Sequence, residues 1–361
     1  MSYASIGLYS IMNELYGAIS RDELKARFDS LLGLDEASRV TFYSNAINAN
    51  SYATKDNTTQ LKNAAFFNNK YAYSEEYINH LTSLFCEAYK IDFTKEADKM
   101  VEWVNEAVDS KGFIDKNFLK VTDLSQLYYF STLYFKNAWY SKYLSENNID
   151  DDFYLSNGSK MTTKYMRHSY MGDSYYDYGT YISFKDYYMN GNASVTYLIP
   201  KKTSDNIFDL TKNVNIFEEK EENKVVNRNE YDSEYTMPIM INLETPKFKV
   251  ATELDLKDSL YALGFADMFD YNYDSFHNAF NDPITYNVNF YLEQVKQKNE
   301  VEFNEDGAIV RSLTMADVEG CTSAEPLNNV LDVKLNQPFI YIIRDCNYVP
   351  ILVGHIDNPV Y

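Results

Sequence analysis

Tryptophan (2), cysteine (3), histidine (4) and glycine (12) are scarce in this 361-residue chain, and each scarcity removes a class of function. With few glycines there is no phosphate-cradling loop: neither GxGxxG nor GxxxxGK[ST] occurs, so nucleotide chemistry has no foothold. Cys86, Cys321 and Cys346 are too few and too scattered for a disulfide framework or a zinc site, and their odd number leaves at least one free thiol. No window approaches 18 uninterrupted apolar residues, so no helix reads as membrane-spanning. The opening MSYASIGLYSIMNELYGAIS lacks the basic and clean apolar regions of a signal peptide. Basic residues are also in deficit, 33 Lys plus Arg against 53 Asp plus Glu, a formal charge of −20. Such a surface repels phosphate backbones and anionic lipid, which argues against nucleic-acid and membrane partners.

Hydrolytic chemistry is poorly provided for as well. Neither GxSxG nor HExxH is present. Of His80, His168, His277 and His355, the first falls on an expected helix and the last within an expected strand, and both read as core or surface histidines. The run Asp150, Asp151, Asp152 reads as a solvated turn rather than a metal site. No metal and no cofactor is expected. Cys321 is the thiol expected to be exposed, which leaves a redox role open. The sequons at Asn57, Asn157 and Asn192 are what chance supplies in an Asn-rich chain.

What the chain does have is tyrosine (34) and phenylalanine (22), which suit strands and half-buried faces. The first third reads mainly as helix. Ile6 to Tyr16 carries apolar residues at helical spacing. Ser74 is placed to cap a second helix with Ile78, Leu81, Leu84, Phe85, Cys86 and Ala88 on its apolar side. A third runs from about Thr94 through Ala97, Val101, Val104 and Val108 to Gly112. After residue 125 the period changes. LYYFSTLYFKNAWY (127–140) reads as a central strand, and YISFKDYY (181–188) with ASVTYLIP (193–200) as a hairpin. The charged stretch 217–235 reads as a solvated helix end and loop. A short helix from Asp255 ends at Gly264, a strand covers Tyr286–Val301, and PFIYIIR and PILVGHI close the chain. No repeat and no linker divides it, so the expectation is one α+β domain with a large sheet.

The segment 305–335 is a connection of about 30 residues between two strong strands, longer than compact domains tolerate unless it is functional or disordered. It contains Ile309, Val310, Leu313, Met315, Val318, Leu327, Val330 and Leu331, so its composition is not that of disorder.

These residues resemble the C-terminal half of a serpin. VEFNEDGAIVR (301–311) resembles the family's hinge, and TPKFKVATELDLKDSLYALGFADMF (245–269) its strand-then-helix segment. QPFIYIIRDCNYVPILVGHIDNP (337–359) resembles its terminal hairpin, and LYFKNAW (133–139) its YFKG.W. Upstream, NAAFFNNKYAYSEEYINHLTSLFCEAYKIDF followed by VNEAVDSKGFI is similar to its helix–strand–helix order. The resemblance implies a serpin fold over 1–361: a large central mixed sheet, smaller sheets, about eight helices and a mobile reactive-centre loop, with hinge and loop at 305–336. The chain begins where the family has the helix after its first short strand, so the family's first helix is expected to be absent.

The resemblance also implies roles. The hinge is Glu305, Asp306, Gly307, Ala308, Ile309, Val310, Arg311, Ser312, Leu313 and Thr314. In inhibitory members the scissile residue lies sixteen positions beyond the hinge glutamate, which puts the bond at Cys321–Thr322. A loop roughly half a dozen residues longer than usual leaves Leu327 as an alternative. Lys247 matches the lysine that pairs with Glu305, and Trp139 a core tryptophan beneath that pair. Ser131 and Gln297 stand where Asn and His usually control sheet opening; they could still bond to each other, so a modified opening mechanism is expected rather than a lost one.

The implied function is inhibition of a serine protease as a suicide substrate: the loop is cleaved, the enzyme is trapped as a covalent complex, and the loop enters the sheet. Insertion of serpin loops is itself an established case of strand addition. One face of the loop, Ala308, Val310, Ser312, Thr314 and Ala316, carries no charge, as an inward row requires. A small uncharged residue at Cys321 favours elastase- or chymotrypsin-like enzymes over trypsin-like ones. Val310, Arg311, Ser312 and Leu313 replace the family's alanine run, which keeps open a non-inhibitory binding, carrier or chaperone serpin. A monomer is expected, and no heparin site, because no basic cluster exists. The location stays open between the cytoplasm and non-classical release.

Overall fold

The computed structural model describes residues 1–54, 57–172, 175–191, 193–225, 227–228, 236–281, 288–308 and 330–361. From the N-terminus, β1 (Ser2–Tyr3) is followed by α1 (Ser5–Tyr16), α2 (Asp22–Leu32) and α3 (Glu36–Ala49). Next come β2 (Ser51–Ala53), β3 (Thr58–Asn68), α4 (Glu75–Ser83), β4 (Cys86–Ile91), α5 (Asp98–Ala107), α6 (Lys116–Leu119) and β5 (Leu127–Ala138). The middle holds β6 (Ile149–Tyr154), β7 (Lys160–Gly172), β8 (Tyr175–Asp177), β9 (Tyr181–Tyr187), β10 (Ala193–Pro200) and α7 (Ile207–Thr211). Then follow β11 (Asn227–Arg228), β12 (Thr236–Met237), β13 (Ile239–Pro246), β14 (Phe248–Asp255) and α8 (Lys257–Ala262). The chain closes with β15 (Lys296–Asn304), β16 (Gly307–Ala308), β17 (Val330–Lys334), β18 (Phe339–Asp345) and β19 (Pro350–Ile356).

The central seven-stranded sheet runs β14-β15-β16-β5-β3, with both β2 and β4 on the outer side of β3. It is mixed, because β4 lies parallel to β3 while its other pairs are antiparallel. A six-stranded sheet, β1-β19-β18-β10-β9-β8, packs behind it, and a four-stranded sheet, β17-β13-β7-β6, sits at one end. β10 is buried at every residue because β9 and β18 flank it and both of its faces are covered, so its sequence shows no alternation. One core joins the two larger sheets around Trp139, Tyr188, Phe248, Phe303 and Tyr341. A second lies under α1, α2, α4 and α8.

Local signals explain several elements. Ser74 caps α4 by accepting a hydrogen bond from the Tyr77 amide at 3.3 Å, with Glu75 and Glu76 in the favourable first turn. Gly264 follows α8 at φ +89°, a conformation that glycine adopts without a Cβ penalty.

Other expectations are corrected. The helix expected to carry Leu84, Phe85, Cys86 and Ala88 stops at Ser83. Phe85 turns the chain at φ +58° and stands half exposed, and Cys86 and Ala88 belong to β4, parallel to β3. α5 starts at Asp98 rather than Thr94. The strand expected over Tyr286–Val301 runs instead from Lys296 to Asn304, and 288–295 is irregular. α2, α3 and the eleven-residue strand β3 are not among the expected elements, although α2 carries a helical stripe of Leu24, Phe28 and Leu32, all buried.

A row of polar groups lies beneath the central sheet. Cys86, Asn63 and Ser131 are register partners across β4, β3 and β5, so their side chains share a face. Asn63 donates to the Tyr43 hydroxyl, which donates to Ser10 of α1 at 2.6 Å. Glu14, also on α1, is wholly buried with neither carboxyl oxygen hydrogen-bonded, save for the Cys86 thiol beside it. Burial drives its proton affinity well above that of an ordinary glutamate.

Candidate functional site

β5 and β15 are joined at one end only. There β16 pairs with both: Gly307 with Asn304 and Ala138, and Ala308 with Phe303 and Asn137. Below those two residues no ladder connects the strands among the described residues. Their facing edges, Tyr129–Phe135 and Val295–Glu302, instead border a cavity of about 550 Å³. Ala4, Gly7, Leu8 and Ile11 of the α1 region line it too, and Ala308 closes its head. Two strands with unpaired backbone edges and a gap between them form a receptor for a third strand.

The sequence fits the head of this slot closely. At Gly307, with φ +147°, a Cβ would lie 2.0 Å from the Asn137 carbonyl oxygen, so only glycine lets β16 sit against β5. Ala308 is buried, with its side chain toward the core. The preceding turn is held by Asn304, whose Oδ1 accepts from the Asp306 amide at 3.0 Å. Trp139, just past β5 and 1% exposed, donates its indole N–H to the Asn304 carbonyl at 2.8 Å, tying the ends of β5 and β15 together. Its ring stacks on Tyr188 at 4.8 Å and packs against Tyr143 and Phe303.

Lys247 and Glu305 form a bidentate pair, Nζ lying 2.9 and 3.1 Å from the two carboxylate oxygens, with side chains only 13% and 18% exposed. Asn148 donates a further hydrogen bond to Glu305. Burial works against the Glu305 charge, but these donors and the Lys247 ammonium outweigh it and hold the carboxyl below its usual range.

Ser131 and Gln297 face the slot from opposite sides, and the bond open to them is not made. The gap lies between them. Gln297 bonds to the start of α1 instead, accepting from the Ala4 amide at 2.8 Å and donating to the Ala4 carbonyl at 2.9 Å. Asn299 also donates to Gln297, at 2.9 Å. The Ser131 hydroxyl is buried without a partner among the described residues. Ile309, Val310, Arg311, Ser312, Leu313 and Thr314 of the expected hinge, with Cys321, Thr322 and Leu327, lie outside the described residues. Asn148, Asn304 and Tyr361 join the site unannounced by any sequence pattern: Asn148 meets Glu305 across 157 residues, and Tyr361 meets Asn304 across 57. Among the described residues no cluster of three His, Cys, Asp or Glu side chains is arranged to hold a metal ion.

The profile of the family described as Serpin (serine protease inhibitor) matches residues 6–359. Serpin-Z2B of Triticum aestivum is 27% identical over 290 residues, 76% of this chain and 67% of that protein. Leukocyte elastase inhibitor of Xenopus tropicalis is 26% identical over 310 residues, 83% of this chain and 75% of that protein. The first relatives are thus matched over about two thirds of their own length, 66–67%. Among solved structures, the native state of the thermophilic serpin tengpin superposes with a TM-score of 0.77 at 18% identity, covering 99% of this chain and 88% of that one. Thyroxine-binding globulin in complex with thyroxine superposes at 0.71 and 14% identity, covering 100% and 93%. A match across nearly the whole length, on a chain whose central sheet holds the first two residues of a strand at the head of an open slot, makes this protein a member of the serpin family with the serpin α+β fold.

Proposed function

We propose that this serpin inhibits serine proteases of elastase- or chymotrypsin-like specificity by acting as a suicide substrate. The observation that carries the reading is the slot between β5 and β15 with Gly307–Ala308 already paired at its head. Were that register extended on insertion, Val310 would fall between Val301 and Phe135, Ser312 between Asn299 and Leu133, and Thr314 between Gln297 and Ser131. The residues on the Ala308 side of such a strand, Val310, Ser312, Thr314 and Ala316, are uncharged, while Arg311 and Asp317 take the opposite face. An inward charge would cost several kcal/mol, so its absence favours insertion. The Thr314 hydroxyl would also reach the level of the unpartnered Ser131 hydroxyl.

In the reaction, the serine oxygen of the protease adds to the Cys321 carbonyl carbon. The Cys321–Thr322 bond breaks, and the Thr322 nitrogen leaves with a proton as a new amino terminus. Cys321 remains on the enzyme as an ester. Cleavage frees the segment after β16 from its tether to β17, and insertion then carries the esterified enzyme away from its starting face. Residues 322–361 contain β17, β18 and β19, which stay paired in two sheets, so the fragments separate only on denaturation. The uncharged Cys321 supports the enzyme class, as does the similarity to leukocyte elastase inhibitor. Leu327 as the scissile residue would favour chymotrypsin-like enzymes, and Gly320 is poor for papain-like ones. The partner is the target protease, held covalently by a monomer without a cofactor.

The second reading, a non-inhibitory binding, carrier or chaperone serpin, is favoured by Val310, Arg311 and Leu313 in place of small residues, because slow insertion lets the ester hydrolyse first. Incubation with elastase, a chymotrypsin-like enzyme, trypsin and a papain-like enzyme separates the two. A denaturant-stable complex with either of the first two, and a fragment mass beginning at Thr322, supports the inhibitor. Cleavage without complex, and without a rise in thermal stability, overturns it.

A further inference from the structure

Tyr361 lies at the surface, yet four contacts converge on it and its neighbour. The Val360 carbonyl accepts from the Lys249 amide of β14 at 2.7 Å. The Tyr361 hydroxyl donates to the Glu302 carboxylate of β15 at 2.9 Å and accepts from the Asn304 amide at 3.4 Å. Its ring lies under the Lys247 ammonium, 4.1 Å from Nζ to the ring centre, well within cation–π range. Lys247 is the cation paired with Glu305, and Asn304 is the residue whose side chain and carbonyl hold the turn into β16. One aromatic side chain thus touches both supports of the hinge from outside the sheet.

We infer that Tyr361 is a positioning residue for the hinge: by fixing Lys247, Glu302 and Asn304 it keeps Gly307–Ala308 paired at the head of the slot as the start of the entering strand. The inference rests on the inhibitory reading for its consequence, though not for its geometry. The ring and the hydroxyl have separable duties. The ring holds Lys247 in place over the Glu305 carboxylate, and the hydroxyl joins Glu302 to Asn304. With the turn held, the strand begins with its first two residues already seated. Without it, those residues leave the ladder more often, and insertion competes less well with hydrolysis of the ester.

Two measurements on the full chain test this. The first is amide hydrogen exchange at residues 304–308 in the uncleaved protein, which needs no protease. Tyr361→Ala is expected to speed exchange there about tenfold, and Tyr361→Phe, which keeps the ring over Lys247, by less. Equal exchange in all three proteins overturns the inference. The second is the number of inhibitor molecules consumed per enzyme trapped. It should rise in Tyr361→Ala while the rate of first cleavage, a step that precedes insertion, is unchanged. An unchanged ratio in a protein that does trap the enzyme also overturns the inference. If the parent protein traps no protease at all, the inhibitory reading fails, and the exchange measurement alone then decides the role of Tyr361. A general loss of stability would speed exchange in β10 and β18 as well, so those strands are the internal control.

Discussion

Replacing Glu14 with methionine removes a carboxyl that is fully buried and has neither oxygen hydrogen-bonded, while keeping a side chain of similar length against Cys86. Burial raises the carboxyl's proton affinity well above its ordinary value of 4.5. The folded chain therefore keeps a proton that the unfolded chain gives up once the pH passes 4.5. Whatever stability the protonated group leaves intact is fully present below that pH and is lost as the pH climbs toward the folded value. Inside that window the slope approaches about 1.4 kcal/mol per pH unit. Glu14→Met has no such proton, so its advantage over the parent should widen as the pH rises through that window. To this is added a pH-independent gain of about 1–3 kcal/mol for removing an unsatisfied polar group. The assay is guanidinium unfolding of both proteins in the uncleaved state at pH 5, 6 and 7. All other titrating groups are common to the two and cancel in the difference. Two curves separated by the same free energy at every pH would refute the reasoning, because Glu14 would then be no harder to ionise in the folded chain than in the unfolded one.

Three further outcomes are expected. Gly307→Ala places a Cβ 2.0 Å from the Asn137 carbonyl oxygen and should drive β16 from the slot, seen as loss of exchange protection at 307–308 and a larger share of cleaved, untrapped inhibitor. Lys247→Gln leaves Glu305 half-buried without its counter-charge and should cost about 1–3 kcal/mol at pH 7. Because the Glu305 carboxyl is depressed by that pairing, the cost should be present above its unfolded value of 4.5 and fade as the pH falls through the folded one, a trend that thermal melts at pH 7 and pH 3.5 will show. Ser131→Ala removes a hydroxyl that has no partner in the uncleaved protein, so melting of that form should be unchanged or slightly raised, whereas the cleaved, inserted form should melt lower.

The elements that could be read from the sequence are those fixed by near neighbours. Ser74 caps α4 through a residue three positions away, the hairpin of β9 and β10 is closed locally, and Gly264 ends α8 by its own backbone angle. Readings went astray where distant residues decide. Leu84, Phe85 and Ala88 continue the apolar spacing of α4, but β3 supplies a parallel edge that captures the chain as β4, and Phe85 adopts the left-handed turn this needs. In the site, Gly307 at the head of the slot and the Lys247–Glu305 ion pair are legible through the family resemblance. The partners of Gln297 were not, because Ala4 lies 293 residues away and offers only backbone groups, which no side-chain pattern can announce.

Helix α1 has a mechanical consequence for the sheet above it. At one end Gln297 of β15 grips both backbone groups of Ala4. Further along, Ser10 is bound through Tyr43 to Asn63 of β3, and the Glu14 carbonyl accepts from Tyr77 of α4. The helix therefore runs beneath the slot like a tie-beam, anchored to the β15 side at its start and to the β3 side along its length. Spreading the slot to admit a whole strand pulls those anchorages apart, so either the Gln297 grip or the Tyr43 link must yield, or the beam must shift as a unit. These hydrogen bonds, each worth about 1 kcal/mol, add to the resistance to opening, and single substitutions at Gln297 or Tyr43 should tune it.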